Sequence, residues 1–219
     1  MGRGSSKGSV TRNKGGGVNP SDIRSEEDMF YFEENRRSAG IDDALAVDRA
    51  IVSQFGEDAG ARVLNVAELK PNSGVLGYYR AADGSISLNQ DYLDRDIMNA
   101  TYDASVSTGF HPGRGKKSGT EAVVAHEYGH ALNDKAAQKM GLDMDSAATR
   151  IVSEARSSLK TRAGKVKHRG VVQMANAISR YATTNNSEAI AEAFADVFCN
   201  SGRAKAESKA IVNTMKKYL

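Results

Sequence analysis

Apolar residues at helical spacing fill most of this chain, and alternation with period two is confined to a stretch before residue 90. Pro20-Ser21-Asp22 opens a predicted helix through Arg37, with Met29, Phe30 and Phe32 as its apolar part. Gly40-Ile41-Asp42-Asp43 caps a cleaner one, in which Leu45, Val47, Ile51, Val52 and Phe55 keep helical spacing up to Gly56. Arg62 to Leu69 then reads as a strand. Val75–Ala81 and Ser85–Leu88 flank Ala82-Asp83-Gly84, a turn that predicts a β-hairpin. Beyond it the helical period returns over Asp91–Val106, from Ser118 onward, and over Ser146–Lys160, Val171–Tyr181 and Arg203–Leu219. The last is amphipathic, with Ile211, Val212, Met215 and Leu219 on one side. The pattern predicts an α+β fold that is mainly helical with a small sheet. It divides into a tail over 1–20, a helical segment over 21–60 and the main domain over 61–219.

Composition narrows the function classes. At 219 residues and 40% hydrophobic content there is enough chain to bury a core. The net charge is +3, and Arg3, Lys7, Arg12 and Lys14 supply four positives before the first acid, Asp22. The remainder is thus close to neutral, which gives no case for a nucleic-acid enzyme from charge; contact with nucleic acid is expected only through the tail. That tail is Gly- and Ser-rich and lacks the apolar stretch of a secretory signal, so a flexible segment is expected there. No run of about 18 apolar residues predicts a membrane span. Cys199 is the single cysteine, which excludes an intrachain disulfide and suits a reducing compartment; a packing role is expected for it.

Candidate chemistry concentrates in His126-Glu127-Tyr128-Gly129-His130. On a helix, residues i and i+4 lie on one face, so both imidazoles can point at a single metal ion. Glu127 lies beside that face, within reach of a water on the ion. The helix start is marked by Ser118 and Glu121 at capping-box spacing, with Thr120 a rival cap. Ala122, Val123, Ala125, Tyr128, Gly129, Ala131 and Leu132 make the helix small or apolar nearly all round, which predicts burial. Two buried histidines need partners for their ring nitrogens. Gly129 costs helix stability and is tolerable where another backbone must pass close by.

A catalytic zinc site takes three protein ligands. The other histidines are His111 and His168, and His168 sits among basic residues that predict a solvent-facing ring. The stretch Tyr181 to Asp196 offers acids instead: Asn185, Asn186 or Ser187 can cap a helix that spaces Glu188, Glu192 and Asp196 by single turns. Ala189, Ile190, Ala193, Phe194 and Val197 predict that this helix is buried, and buried carboxylates are costly unless paired or bound to a cation.

With these two motifs the chain resembles the zincin metallopeptidases, and within them the gluzincin branch, which joins the histidine pair to a glutamate from a later helix. The run Tyr181 to Phe194, a tyrosine, a Thr-Asn stretch and then Glu-x-x-Ala-Glu-Ala-Phe, is similar to the anthrax lethal factor catalytic domain and to phage- and toxin-associated zincin domains. The resemblance implies a zincin-like domain binding Zn²⁺ through His126, His130 and Glu188. It implies Glu127 as the base, Glu192 as a carboxylate steadying a histidine, and Tyr181 as the donor to the oxyanion. A rival register, with Glu192 as ligand and Asp196 behind it, fits the Glu-x-x-x-Asp pattern of other relatives. Gly109-Phe110-His111-Pro112-Gly113 resembles a segment of the phage domains and makes His111 a candidate contact to substrate or metal. The implied function is zinc-dependent peptide-bond hydrolysis, phage- or effector-associated, in the host cytoplasm or a virion. The alternative is a virion or assembly component that keeps the fold as a metal-stapled scaffold.

Overall fold

A computed structural model describes residues 38–61, 63–69 and 74–219 of the chain. The tail expected over 1–20 and the helix expected from Pro20 to Arg37 lie outside the described residues. Within them the architecture is α+β, mainly helical, with a small sheet. The first helix, α1 (Ala39–Phe55), is capped by Ser38, whose side chain accepts from the Ile41 amide. It is followed by β1 (Val63–Ala67), β2 (Gly77–Arg80) and β3 (Ser85–Asn89). β3 is central, parallel to β1 and antiparallel to β2. The β2–β3 hairpin turns where Asp83 accepts from the Ser85 amide and hydroxyl, and Gly84 takes φ +67°.

Six α-helices complete the described fold: α2 (Arg95–Ser107), α3 (Gly119–Met140), α4 (Met144–Ser158), α5 (Val171–Ile178), α6 (Asn186–Asn200) and a closing α7 (Ala206–Met215). The boundaries differ from expectation where side chains intervene. α2 starts at Arg95 rather than Asp91, because Asp94 caps it by accepting from the amides of Asp96 and Ile97. α4 starts at Met144, capped by Asp143, which accepts from the Ser146 amide at 2.8 Å. α7 is shorter than Arg203–Leu219 and is flanked by single 3₁₀ turns.

α3 is the hub. The capping box is complete, with Ser118 Oγ accepting from the Glu121 amide and the Glu121 carboxylate accepting from the Ser118 amide. Ala122, Val124, Ala125, Tyr128 and Leu132 are buried in one apolar cluster together with Ile41, Leu45 and Ile51 of α1, Ile86 and Leu88 of β3, Ile151 of α4 and Ile190 of α6. Tyr128 is fully buried and satisfies its hydroxyl by donating to Asp48 of α1 and accepting from the Ala61 amide at 3.1 Å.

α3 packs across α6, and Gly129 lies at the crossing. A Cβ there would stand 2.6 Å from Ala191 Cα and 3.2 Å from Phe194 Cβ. Gly129→Ala should therefore lower the melting temperature by several degrees. Overpacking costs about 1–3 kcal/mol, more than the ~1 kcal/mol of helix propensity gained. Thermal unfolding followed by circular dichroism measures this; a rise in melting temperature would mean the crossing is looser than described.

His168 is buried rather than solvent-facing, 8% exposed, with Nε2 2.8 Å from Glu207 Oε1 of α7. Glu207 is itself buried and binds the Lys167 ammonium at 2.5 Å as well. The basic neighbours of His168 face water, but the ring turns inward because a carboxylate from a distant helix needs a partner. Cys199 is half-buried on α6, packed against the core, and burial pushes its thiol pKa up to about 12. The loop from Gly109 to Ser118 is tied on three sides. Arg114 forks onto Asp103, Asn200 Nδ2 donates to the Gly113 carbonyl, and the Arg180 amide donates to the Gly109 carbonyl.

Candidate metal centre

The α3–α6 crossing brings His126, His130 and Glu188 together. Glu188 Oε2 lies 3.2 Å from His126 Nε2 and 3.4 Å from His130 Nε2. One donor atom from each of the three residues falls within 4.8 Å of the others, and among the described residues this is the one such group. Glu188 Oε2 is buried and has no hydrogen-bond partner. An orphaned carboxylate oxygen facing two ring nitrogens is the arrangement a cation completes. The three residues can hold a metal ion.

The helix starts set this geometry. Asn185 caps α6 by accepting from the Glu188 amide at 2.8 Å, which places Glu188 in the first turn with its side chain toward α3. Ser187, one residue earlier, has Oγ 3.1 Å from His130 Nδ1. Glu192, one turn on, puts Oε1 2.8 Å from His126 Nδ1. A carboxylate can only accept, so His126 Nδ1 carries the proton toward Glu192, and Nε2 is the ring nitrogen that faces Glu188. The Ser187 hydroxyl can take the Nδ1 proton of His130 in the same way.

Glu192 is 1% exposed and fully used. The same Oε1 lies 2.9 Å from His111 Nδ1, and Oε2 accepts from Ser179 Oγ at 2.6 Å. His111 is thereby tied to Glu192 and stands outside the three-residue donor group. Its ring is stacked on Tyr102 with centroids 5.4 Å apart and stands edge-on to Tyr181 at 5.3 Å. Asp196 takes no part: Oδ1 accepts from Asn200 Nδ2 and Oδ2 from the Lys205 amide, both at 2.9 Å, which secures the lead-in to α7.

Tyr181 was expected at the end of a helix. α5 instead stops at Ile178, and Tyr181 opens a separate 3₁₀ turn, Tyr181–Thr183. The amides of Arg180 and Tyr181 donate to the carbonyls of Gly109 and Phe110 rather than back along α5, so the helix cannot continue. Ser179 Oγ accepts from the Ala182 amide and fixes the turn. The Tyr181 ring then lies over His126, centroids 5.9 Å apart.

Charge and burial oppose each other across the site. Burial disfavours ionised Glu188 and Glu192, but the histidines outweigh it: Glu188 is held well below the carboxylate range by His126 and His130, and Glu192 at about 2 by His111 and His126. Burial likewise disfavours the charged His126 ring, yet Glu188 and Glu192 raise its pKa well above the ordinary value. Glu127, 6% exposed, has its pKa raised, chiefly by burial. Burial and the charges of Glu188 and Glu127 push the Tyr181 phenol up to about 12, so it stays protonated at neutral pH.

His126, Glu127, Tyr181 and Glu192 border a cavity of about 310 Å³, whose lining does not include His130 or Glu188. Val75, Leu76, Tyr102, Phe110 and Val123 form its apolar part, and His111, His126, Glu127, Tyr181 and Glu192 its polar part. Val75 and Phe110 remain 40% and 37% exposed at the rim. Sequence reasoning missed Ser179, Ser187 and Tyr102. Ser187 carried a signal, since it directly precedes Glu188 on a capped helix; the other two had none.

Because Glu192 orients His126, Glu192→Gln should weaken metal binding by about 10–100-fold without unfolding the chain. Competition against a chromophoric chelator measures this, and unchanged affinity would remove Glu192 from the site. Compared with protein-family models, with curated proteins and with solved structures, the chain matches none.

Proposed function

We propose that this chain is a zinc-dependent metallopeptidase of gluzincin type that cuts peptide bonds inside a protein substrate. The observation that carries the reading is the convergence of two oriented imidazoles on the partnerless Glu188 oxygen, with His126 at the wall of a cavity that Glu127 and Tyr181 also line. Two imidazole nitrogens and one carboxylate oxygen are a donor set that suits Zn²⁺ at a catalytic site. When bound, such an ion polarises a carbonyl oxygen and makes water acidic near neutral pH.

The chain's own groups supply the rest. Glu127 takes the proton of the attacking water on its carboxylate and passes it to the leaving nitrogen. Burial, by raising its pKa, helps it hold that proton in transit. The protonated Tyr181 phenol donates to the oxyanion as the carbonyl carbon becomes tetrahedral. His111, anchored through Nδ1, offers its other ring nitrogen to the substrate backbone from the cavity wall. The apolar part of the cavity excludes water from one side chain of the substrate and favours an apolar residue beside the cleaved bond. β2, one of the two outer strands of the described sheet, borders the cleft at Gly77.

The test is to load the purified protein with zinc, incubate it with a denatured protein mixture and identify new N-termini by mass spectrometry, beside a chelated control. New termini in the loaded arm alone, next to apolar residues, are expected. Failure to take up zinc would end the reading. Zinc uptake with a raised melting temperature and no cleavage would instead favour the metal-stapled scaffold.

A further inference from the structure

Residues 160–169 form a small antiparallel turn outside the cleft. Lys160 pairs with Val166, the Thr161 amide donates to the Lys165 carbonyl at 2.7 Å, and the Lys167 amide donates to the Leu159 carbonyl at 2.8 Å. Its base is anchored twice. Arg156 of α4 donates to the carbonyl of His168 at 3.0 Å, and the buried His168–Glu207 pair ties it to α7. The turn is thus held in shape while residues 160–167 and 169 are exposed.

Its charge is one-sided. Lys160, Arg162, Lys165, Lys167 and Arg169 contribute five positives with no acid between them. Since the whole chain carries +3, everything else carries −2. Only Lys167 is neutralised, by Glu207; among the described residues no carboxylate pairs with Lys160, Arg162, Lys165 or Arg169. Four unpaired cations on a braced turn repel one another, and that cost is relieved when a polyanion lies across them.

We propose that this turn binds the phosphate backbone of nucleic acid. Two guanidinium forks, Arg162 and Arg169, match phosphate oxygens in pairs, and the ammonium groups add point charges. Ala163, Gly164 and Thr161 at the tip are short, so a backbone can approach closely. The one large apolar side chain exposed on the turn is Val166, at 38%. That is too little for the apolar centre of a protein–protein interface or for an apolar face seated in a lipid surface. The turn exposes no aromatic ring to stack on bases, since the His168 ring is buried, so recognition is of charge rather than of sequence.

The test uses the full chain and a short fluorescein-labelled DNA duplex, followed by anisotropy from roughly 50 to 200 mM salt. Four phosphate contacts predict a log–log slope of about −3 to −4. The combined Lys160→Glu, Arg162→Glu and Lys165→Glu variant should bind at least about tenfold more weakly with an unchanged melting curve, since these side chains are exposed and unpaired. A second variant, with Arg3, Lys7, Arg12 and Lys14 changed to Ala, should lose less. No binding by the parent, equal binding by the triple variant, or tighter binding to phosphatidylserine vesicles than to the duplex would overturn the proposal.

Discussion

Glu127→Gln is expected to cut peptide hydrolysis by about 10²–10⁴-fold, the range that general base catalysis contributes, while zinc content stays at the level of the parent. The two side chains have the same shape, so packing under the edge of the cavity is kept. Glu127 stands outside the His126, His130 and Glu188 donor group, so the amide removes no ligand. What disappears is an oxygen able to accept and return a proton next to the cavity. Zinc content by atomic absorption and new N-termini by mass spectrometry separate the two roles. A variant that cleaves as fast as the parent would dismiss Glu127 as the base, whereas one that loses zinc would make it a structural neighbour of the ligands.

Glu188→Ala should weaken metal binding by more than the roughly 10–100-fold that outer partners cost, because it deletes one of three donors. Asp196→Asn is the matched contrast. Its carboxylate is engaged by Asn200 and the Lys205 amide, so the substitution should cost about 1 kcal/mol of stability and leave metal affinity unchanged. Titration of each variant with zinc, alongside a melting curve, reads both quantities. The reverse outcome, with Asp196 decisive and Glu188 dispensable, would restore the rival register in which Glu192 binds the ion.

What could be read from sequence was local. The phase of His126 and His130, the Ser118–Glu121 capping box and a cap among Asn185, Asn186 and Ser187 depend on residues within one turn of each other; the first two stand in the structure, which places the cap at Asn185. The α+β make-up and the Asp83-Gly84 hairpin followed from periodicity for the same reason. Choosing among Glu188, Glu192 and Asp196 was not a local matter. All three share a stripe of α6, and only the angle at which α6 crosses α3 turns the first two toward the histidines and the third toward α7. His168 failed for a related cause: nothing near it in the chain announces Glu207. The early end of α5 was hidden because the carbonyls that capture the Arg180 and Tyr181 amides belong to residues 109 and 110.

The bare backbone contact at Gly129 has a bearing on how the ion is acquired. Two helices that touch without an intervening side chain, directly beside His130, leave little slack along their seam, and the apolar cluster around them is built from side chains that ligate no ion. On the proposed reading the receptacle is moulded before its guest arrives, and the ordering entropy of the ligands is settled at folding rather than at loading. Stripping and reloading the ion should be a reversible exchange on an intact fold, quite unlike the collapse of a zinc finger when its metal is withdrawn.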